Sequence, residues 1–343
     1  MFEADNYSLR KLNAFRFEHS AALYAECRNH SELRQFIHTL KKGKSTHDSP
    51  LVFGEGSNTI LTRDIKRPVI RFTGEKISLK PNADDSSVQV NVQAGKNWHQ
   101  FVIDMTARGL QGIENLSLIP GTCGAAPVQN IVAYGVELSD TLINVSAWHW
   151  PTQKMQLLSR EDCQFGYRNS LFKRKPDEYI ITSVTLKLDN ETKPDTSYRV
   201  LEETLVHRNI INPTPQDVSD VVCEIRQSKL PDPDILPNAG SFFKNPIITN
   251  KDFERLIKLY PEMPSYPAET GHVKVAAGWL IETAGLKGYQ HESGHVAIHD
   301  KQALVLVHHG GGNAGELMQL SGHIQDTVST MYGVTLEREP VLR

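Results

Sequence analysis

Cysteine is scarce and dispersed. The 343 residues contain four, Cys27, Cys123, Cys163 and Cys223, all far apart. No CxxC pair occurs, so neither a zinc site nor a redox dithiol is indicated. Reduced thiols in a cytoplasmic protein are the expectation. No run of 18 or more apolar residues exists, which argues against a membrane span. Met1–Asn6 lacks a basic start followed by an apolar run, so no secretory signal is expected. A net charge of -3 is too small to indicate a nucleic-acid groove or a basic membrane face. Internal repeats and low-complexity segments are also missing.

What is present describes a globular chain, 39% apolar and 22% charged. Its length fits two or three domains. Ser31 reads as the cap of a helix burying Leu33, Phe36, Ile37 and Leu40, and Lys41–Pro50 as a polar connection. Leu51–Phe53 is a short strand entering the Gly54, Glu55, Gly56, Ser57, Asn58 turn. Such a turn can aim backbone N–H groups at a phosphate, or be only a tight hairpin. No Lys follows at P-loop spacing, and Thr59 stands where a dinucleotide fingerprint needs glycine. Val88–Gly95 alternates as a strand. Trp98, Phe101, Val102 and Met105 make a helical stripe ending at Gly109, and His99 beside it suits a surface or supporting role.

Leu118–Gly135 is dense in Gly, Ala and Pro and short of charge. It suits a flat ring or pyrophosphate against backbone, or equally a buried turn. Arg168, among Phe165, Gly166 and Tyr167, can grip a carboxylate with two parallel bonds or serve a structural salt bridge. Tyr179–Leu188 is a strand, Tyr198 and Arg199 sit on a polar loop, and Pro215 opens a helix through Arg226 and Lys229. Pro231 and Pro233 mark a boundary.

Asn238–Pro246 organises the rest. Gly240 permits close backbone approach, Ser241 offers a proton, and Lys244 and Asn245 add a cation and an amide. The string is poor as core and poor as linker. Ala276–Ala284 reads as a helix, Ala303–Val307 as a strand, Leu317–Met331 as the last helix, and Leu336–Glu339 as strand. His291, His295 and His299 have helical ligand spacing, but Gly294 and Val296–Ile298 oppose a helix, and no metal is expected.

Ten motifs in this order resemble the UDP-N-acetylenolpyruvoylglucosamine reductase family from about Leu9 onward. They include Gly54–Asn58, Gly95–His99, Ile119–Gly121, Pro127–Ile131, Ala133–Gly135, Phe165–Arg168, Lys229–Pro233, Ala239–Pro246, Ala276–Ile281 and Gln302–Leu306. The resemblance implies an α+β fold of three domains, two of them a vanillyl-alcohol-oxidase-like FAD-binding fold. The implied ranges are 1–73 joined by 334–343, then 74–230, then a substrate domain over 231–333. It implies bound FAD, NADPH as hydride donor, and a UDP-N-acetylglucosamine enolpyruvate substrate. A cytoplasmic monomer without nucleic-acid or membrane partners is expected.

By the same resemblance, Gly54, Glu55, Gly56, Ser57, Asn58, Pro120, Gly121, Gly124, Ala125, Ala126, Gln129, Asn130 and Tyr134 hold FAD. Tyr198, Lys229, Asn245 and Gln290 bind the nucleotide sugar, and Tyr198 suggests the subtype with a tyrosine-bearing loop. Reduced flavin N5 gives hydride to the enolpyruvyl methylene, and Ser241 protonates the neighbouring carbon. Arg168 holds the carboxylate and Glu339 acts beside it in protonated form, since a bare carboxylate would oppose an enolate. Arg16 and Val132 replace family glycines, and about two extra residues precede His299. A flavin oxidase of this fold, or a UDP-sugar-binding module without catalysis, are the alternatives.

Overall fold

The computed structural model describes residues 1–42, 49–82, 86–191 and 193–343. Two compact units form: Met1–Tyr7, Ser20–Glu55 and Ile65–Ser228 make the first, and Ser8–His19, Gly56–Asp64 and Lys229–Arg343 the second. Both combine sheets with helices, in agreement with the α+β expectation.

The first unit has a four-stranded sheet ordered Phe2–Ser8, Ser20–Cys27, Val69–Phe72, Leu51–Phe53. Val69 pairs in parallel with Tyr24 and with Leu51. Parallel neighbours need a crossover, and helix His30–Lys42 lies between those strands in the chain. It buries Leu33, Phe36 and Ile37 against Ile70, Trp148 and Ile180. Its cap is Asn29 rather than Ser31, because the Asn29 side chain accepts from the Glu32 N–H at 3.0 Å. The helix runs to Lys42, and 43–48, part of the expected connection, lies outside the described residues.

A five-stranded antiparallel sheet follows, ordered Lys154–Ser159, Leu142–His149, Tyr179–Asp189, Ser87–Gln93, Ile77–Pro81. Helix Trp98–Thr106 contributes Trp98, Phe101, Val102 and Met105 to the same core as Val90 and Val92. Each such side chain contributes roughly 1.5–3 kcal/mol on burial. Asn97 caps the helix by accepting from the Gln100 N–H. The expected polar loop holds for 193–198, which has no regular structure and ends at Tyr198, but Arg199 already belongs to a helix, Arg199–His207. Leu201 and Leu205 pack on Val218, Val221, Val222 and Ile225 of helix Pro215–Lys229. One pair of apolar residues four apart is too short a period to stand out in sequence.

In the second unit, strands Asn238–Ser241, Val305–His308 and Val296–Ile298 form one antiparallel sheet. Helices Asn250–Leu259, Ala277–Thr283 and Ala314–Tyr332 also belong to this unit, and residues of all three join its core. Phe242 and Phe243 are 0% and 1% exposed in that core, so the string judged poor as core is anchored by its aromatic doublet. The third strand starts at Val305, not Ala303. The C-terminal stretch is not a continuous strand. Arg338 makes one bridge to Phe243, and beyond Pro340 the strand Val341–Leu342 pairs in parallel with Thr59–Ile60. Proline lacks the N–H a ladder needs.

Buried His308 joins two chain segments of this unit. Its Nδ1 is 2.7 Å from the Phe15 carbonyl, and its Nε2 accepts from the Gly312 N–H at 3.0 Å. One nitrogen must donate and the other accept, which requires the neutral ring. Burial lowers its pKa below the ordinary value. The unfolded chain therefore binds more protons near that value than the folded one. The stabilisation is complete above about pH 6.5 and shrinks as pH falls toward the folded pKa. Urea midpoints should drop between pH 7 and pH 5, and His308→Gln, which keeps one donor and one acceptor, should reduce that drop. Equal drops in both proteins would exclude His308 as a contributor.

Candidate active site

Three glycine-bearing segments meet in the first unit. A Cβ at Gly54 would stand 2.9 Å from Thr122 Oγ1 and 3.3 Å from the Ala125 Cβ. One at Gly124 would stand 2.5 Å from the Ala94 Cβ. The Trp98 N–H donates to the Gly121 carbonyl and the Cys123 N–H to Lys96. Glu55 accepts from Asn97 Nδ2 at 3.1 Å, so one asparagine side chain caps a helix and holds the Gly54–Glu55 end of the turn. Pro120 is exposed, Gly121 and Ala126 are buried, and Gln129 is half-buried. Between Pro120 and Ala126 the only ionisable side chain is Cys123, whose thiol burial pushes well above its ordinary value. An uncharged wall of small residues suits a flat ring system with a phosphate tail, and these residues fit a flavin nucleotide.

Asn130, Tyr134 and Arg168 all adopt left-handed backbone, with φ of 47°, 47° and 50°. Each such non-glycine residue costs on the order of 1 kcal/mol or more and persists only where its surroundings enforce it. The enforcement is visible. Asn130 Nδ2 donates to Glu137 at 2.7 Å and its Oδ1 accepts from the Ser139 N–H. The Tyr134 carbonyl accepts from Asn115 Nδ2, and the Arg168 carbonyl from Lys173 Nζ. Arg168 Nη1 donates to the Val132 carbonyl at 3.4 Å. The Tyr134 ring meets Tyr198 edge-on at 5.4 Å. Tyr198, 40% exposed, stands at the start of helix Arg199–His207.

The second unit carries the remaining candidates. Gly56 has φ +74°, and a Cβ there would lie 1.9 Å from the Leu12 carbonyl oxygen, so only glycine fits. Ser57 and Asn58 are half-buried. Ser241 ends its strand opposite Val305. The next residue fixes its position: the Phe242 N–H donates to Leu304, while the Phe242 carbonyl accepts from the Glu339 N–H at 2.9 Å. Asn58 Nδ2 reaches the Glu339 carbonyl at 3.5 Å. Ser241, Glu339 and Asn58 thus share one backbone network, and Glu339 is buried at 8% exposure. Lys244 forms an ion pair with Glu337. Asn245 Oδ1 accepts from the Ala277 N–H, which fixes it to a helix start. Gly240 has φ +66° and open space around its Cβ position. Lys229 and Gln290 are exposed, and Gln290 bridges to Ala297.

His99 is half-buried, with Nδ1 accepting from the Leu118 N–H, a supporting role. His291 contacts Ser293 and Gln319, and His295 contacts Glu316. Among the described residues no group of three His, Cys, Asp or Glu could hold a metal ion, and no helix is long and apolar enough to cross a membrane.

Sequence reasoning passed over two residues. Asn115, fully buried, donates to both the Tyr134 and Asp195 carbonyls at 2.9 Å. A lone asparagine gives no sequence signal for that. Arg226 falls at i+4 and i+8 from Val222 and Val218 on the apolar face of its helix, and a cation on such a stripe was the available signal.

Residues 232–343 match the C-terminal domain of UDP-N-acetylenolpyruvoylglucosamine reductase, and 21–153 match an FAD binding domain. The chain is 42% identical over 338 residues to the Pseudomonas aeruginosa UDP-N-acetylenolpyruvoylglucosamine reductase, covering 98% of both chains. It is 44% identical over 341 residues to that of Ralstonia nicotianae, again covering 98% of each. The crystal structure of the Thermus caldophilus enzyme superposes with a TM-score of 0.67 at 22% identity, covering 99% of this chain and 98% of that one; this likeness concerns the fold.

Proposed function

The chain belongs to the UDP-N-acetylenolpyruvoylglucosamine reductase family, and from that premise we propose how its own residues carry the reaction. It is an FAD-containing, NADPH-dependent oxidoreductase that reduces UDP-N-acetylglucosamine enolpyruvate to UDP-N-acetylmuramate, a peptidoglycan precursor. FAD, when bound, supplies hydride to the enolpyruvyl methylene carbon. Gly54–Asn58 and the Pro120–Tyr134 stretch hold it through backbone groups and small side chains.

Ser241 protonates the carbon next to the carboxylate. The observation that carries this reading is the anchoring of Ser241 beside Glu339 through Phe242, which fixes a hydroxyl and a buried carboxyl group on one rigid network. A serine is a weak acid and needs a strongly basic acceptor, which an enolate is. Arg168 holds the substrate carboxylate and stabilises the charge that develops on it. Glu339 acts at the same carboxyl group. Tyr198, Lys229 and Asn245 bind the uridine diphosphate, and Gln290 contributes to binding the substrate.

The Tyr134–Tyr198 ring contact supports the subtype in which a tyrosine-bearing segment covers the nucleotide. Two FAD-binding subdomains, 1–73 with 334–343 and 74–230, are proposed beside a substrate domain over 231–333. The cytoplasm is the compartment proposed, since all four cysteines are free and burial raises the Cys27 and Cys163 thiols to about 12. A monomer is proposed and is checked by sedimentation.

The visible spectrum tests the whole reading. The purified protein should show a flavin spectrum that bleaches under anaerobic NADPH and recovers on adding the enolpyruvyl nucleotide sugar. A protein that cannot retain added FAD would overturn it.

A further inference from the structure

Arg226 is a half-buried arginine with one enclosed guanidinium nitrogen. It lies on the apolar face of helix Pro215–Lys229, whose core residues pack with Tyr134. Its Nε is fully enclosed and has no hydrogen-bond partner. Among the described residues no carboxylate pairs with it. Its electrostatic neighbours are Tyr134 and Cys223, both ordinarily neutral, and Arg168, a like charge. Desolvation, the larger effect, and the Arg168 charge both lower its pKa. His99 feels the Arg226 charge in turn.

Such an arrangement costs stability. A guanidinium Nε enclosed without an acceptor loses its hydration and gains nothing there in exchange. A second guanidinium within electrostatic reach adds to the cost. Both penalties are relieved together if an anion enters between the two cations, because each guanidinium then gains charge-assisted hydrogen bonds.

We propose that Arg226 and Arg168 form a two-guanidinium subsite for an oxyanion of a nucleotide ligand, completed only when the ligand is present. This rests on the reductase reading for the identity of the ligands. The shared chemistry is an oxygen anion. It can come from the enolpyruvyl carboxylate, from the pyrophosphate of the UDP-sugar, or from the phosphates of NADPH. Tyr134 is an electrostatic neighbour of Arg226, and its ring meets that of Tyr198.

The test uses the FAD holoenzyme and the variant Arg226→Met, which keeps much of the side chain's bulk and removes its charge. Three affinities are measured by flavin absorbance or fluorescence: for UDP-N-acetylglucosamine enolpyruvate, for UDP-N-acetylglucosamine and for NADPH. Thermal midpoints are measured without ligand. The expected result is a weakening of at least about tenfold for one or more ligands, with a midpoint that rises or stays level.

A loss confined to the enolpyruvyl compound assigns the carboxylate. A loss shared by both UDP-sugars assigns their pyrophosphate, and one confined to NADPH assigns the nicotinamide nucleotide. Unchanged affinity for all three overturns the proposal. So does weaker binding accompanied by a lower midpoint, the signature of a merely structural arginine. A wild-type protein without flavin would instead remove the reductase reading, and binding of UDP-N-acetylglucosamine alone would still test Arg226.

Discussion

Ser241→Ala should leave the flavin fully reducible by NADPH and lower turnover by about 10³-fold or more, within the range for loss of a positioned acid. The two half-reactions separate cleanly in anaerobic stopped-flow experiments. Reduction bleaches the flavin before any enolpyruvyl substrate is present, and Ser241 takes no part in that step. Reoxidation by the substrate is where the proton is needed. The variant should remain folded, because Ser241 is only half-buried at the end of its strand and the buried Phe242 and Phe243 anchor the segment. Slow flavin reduction with normal reoxidation would remove Ser241 from the proposed proton transfer.

Arg168→Lys should reduce turnover by roughly 10²–10³-fold, comparable to losing a donor aimed at developing charge. Lysine keeps the charge but not the planar fork, so two parallel bonds to a carboxylate cannot form. The left-handed φ of 50° at this position is a backbone property that both residues share as non-glycine side chains. The loss therefore reports on the fork. It should fall on reoxidation by the enolpyruvyl substrate more than on reduction by NADPH. Near-normal turnover would exclude the carboxylate-holding role.

Much of this molecule was legible in its sequence because the relevant signals are local. Trp98, Phe101, Val102 and Met105 share one helical face, and Gly54 and Gly56 punctuate a strand end. The aromatic doublet in Asn238–Pro246 misled because two apolar residues carry no period. Their burial depends on a sheet partner, Leu304, and on Arg338, almost a hundred positions away. The same limit hid helix Arg199–His207, whose apolar face is defined by a neighbouring helix. Arg226 was overlooked because a sequence shows a charge but not the absence of its counterpart. That absence is visible only once the surroundings are known, as they now are for Tyr134, Cys223 and Arg168.

The parallel pair formed by Thr59–Ile60 and Val341–Leu342 sets a timetable for synthesis. Thr62 must wait for Arg343, 281 positions later, before its hydroxyl and N–H find their acceptor. The first unit needs no segment beyond Ser228 and can collapse while the ribosome is still elongating. The second unit cannot close until translation has passed Leu342. For that interval the nascent chain holds an early segment without its partner, and closing so long a loop is slow. A ribosome that stalls before Val341 would release a polypeptide with an unfinished second unit, a natural target for quality-control proteases.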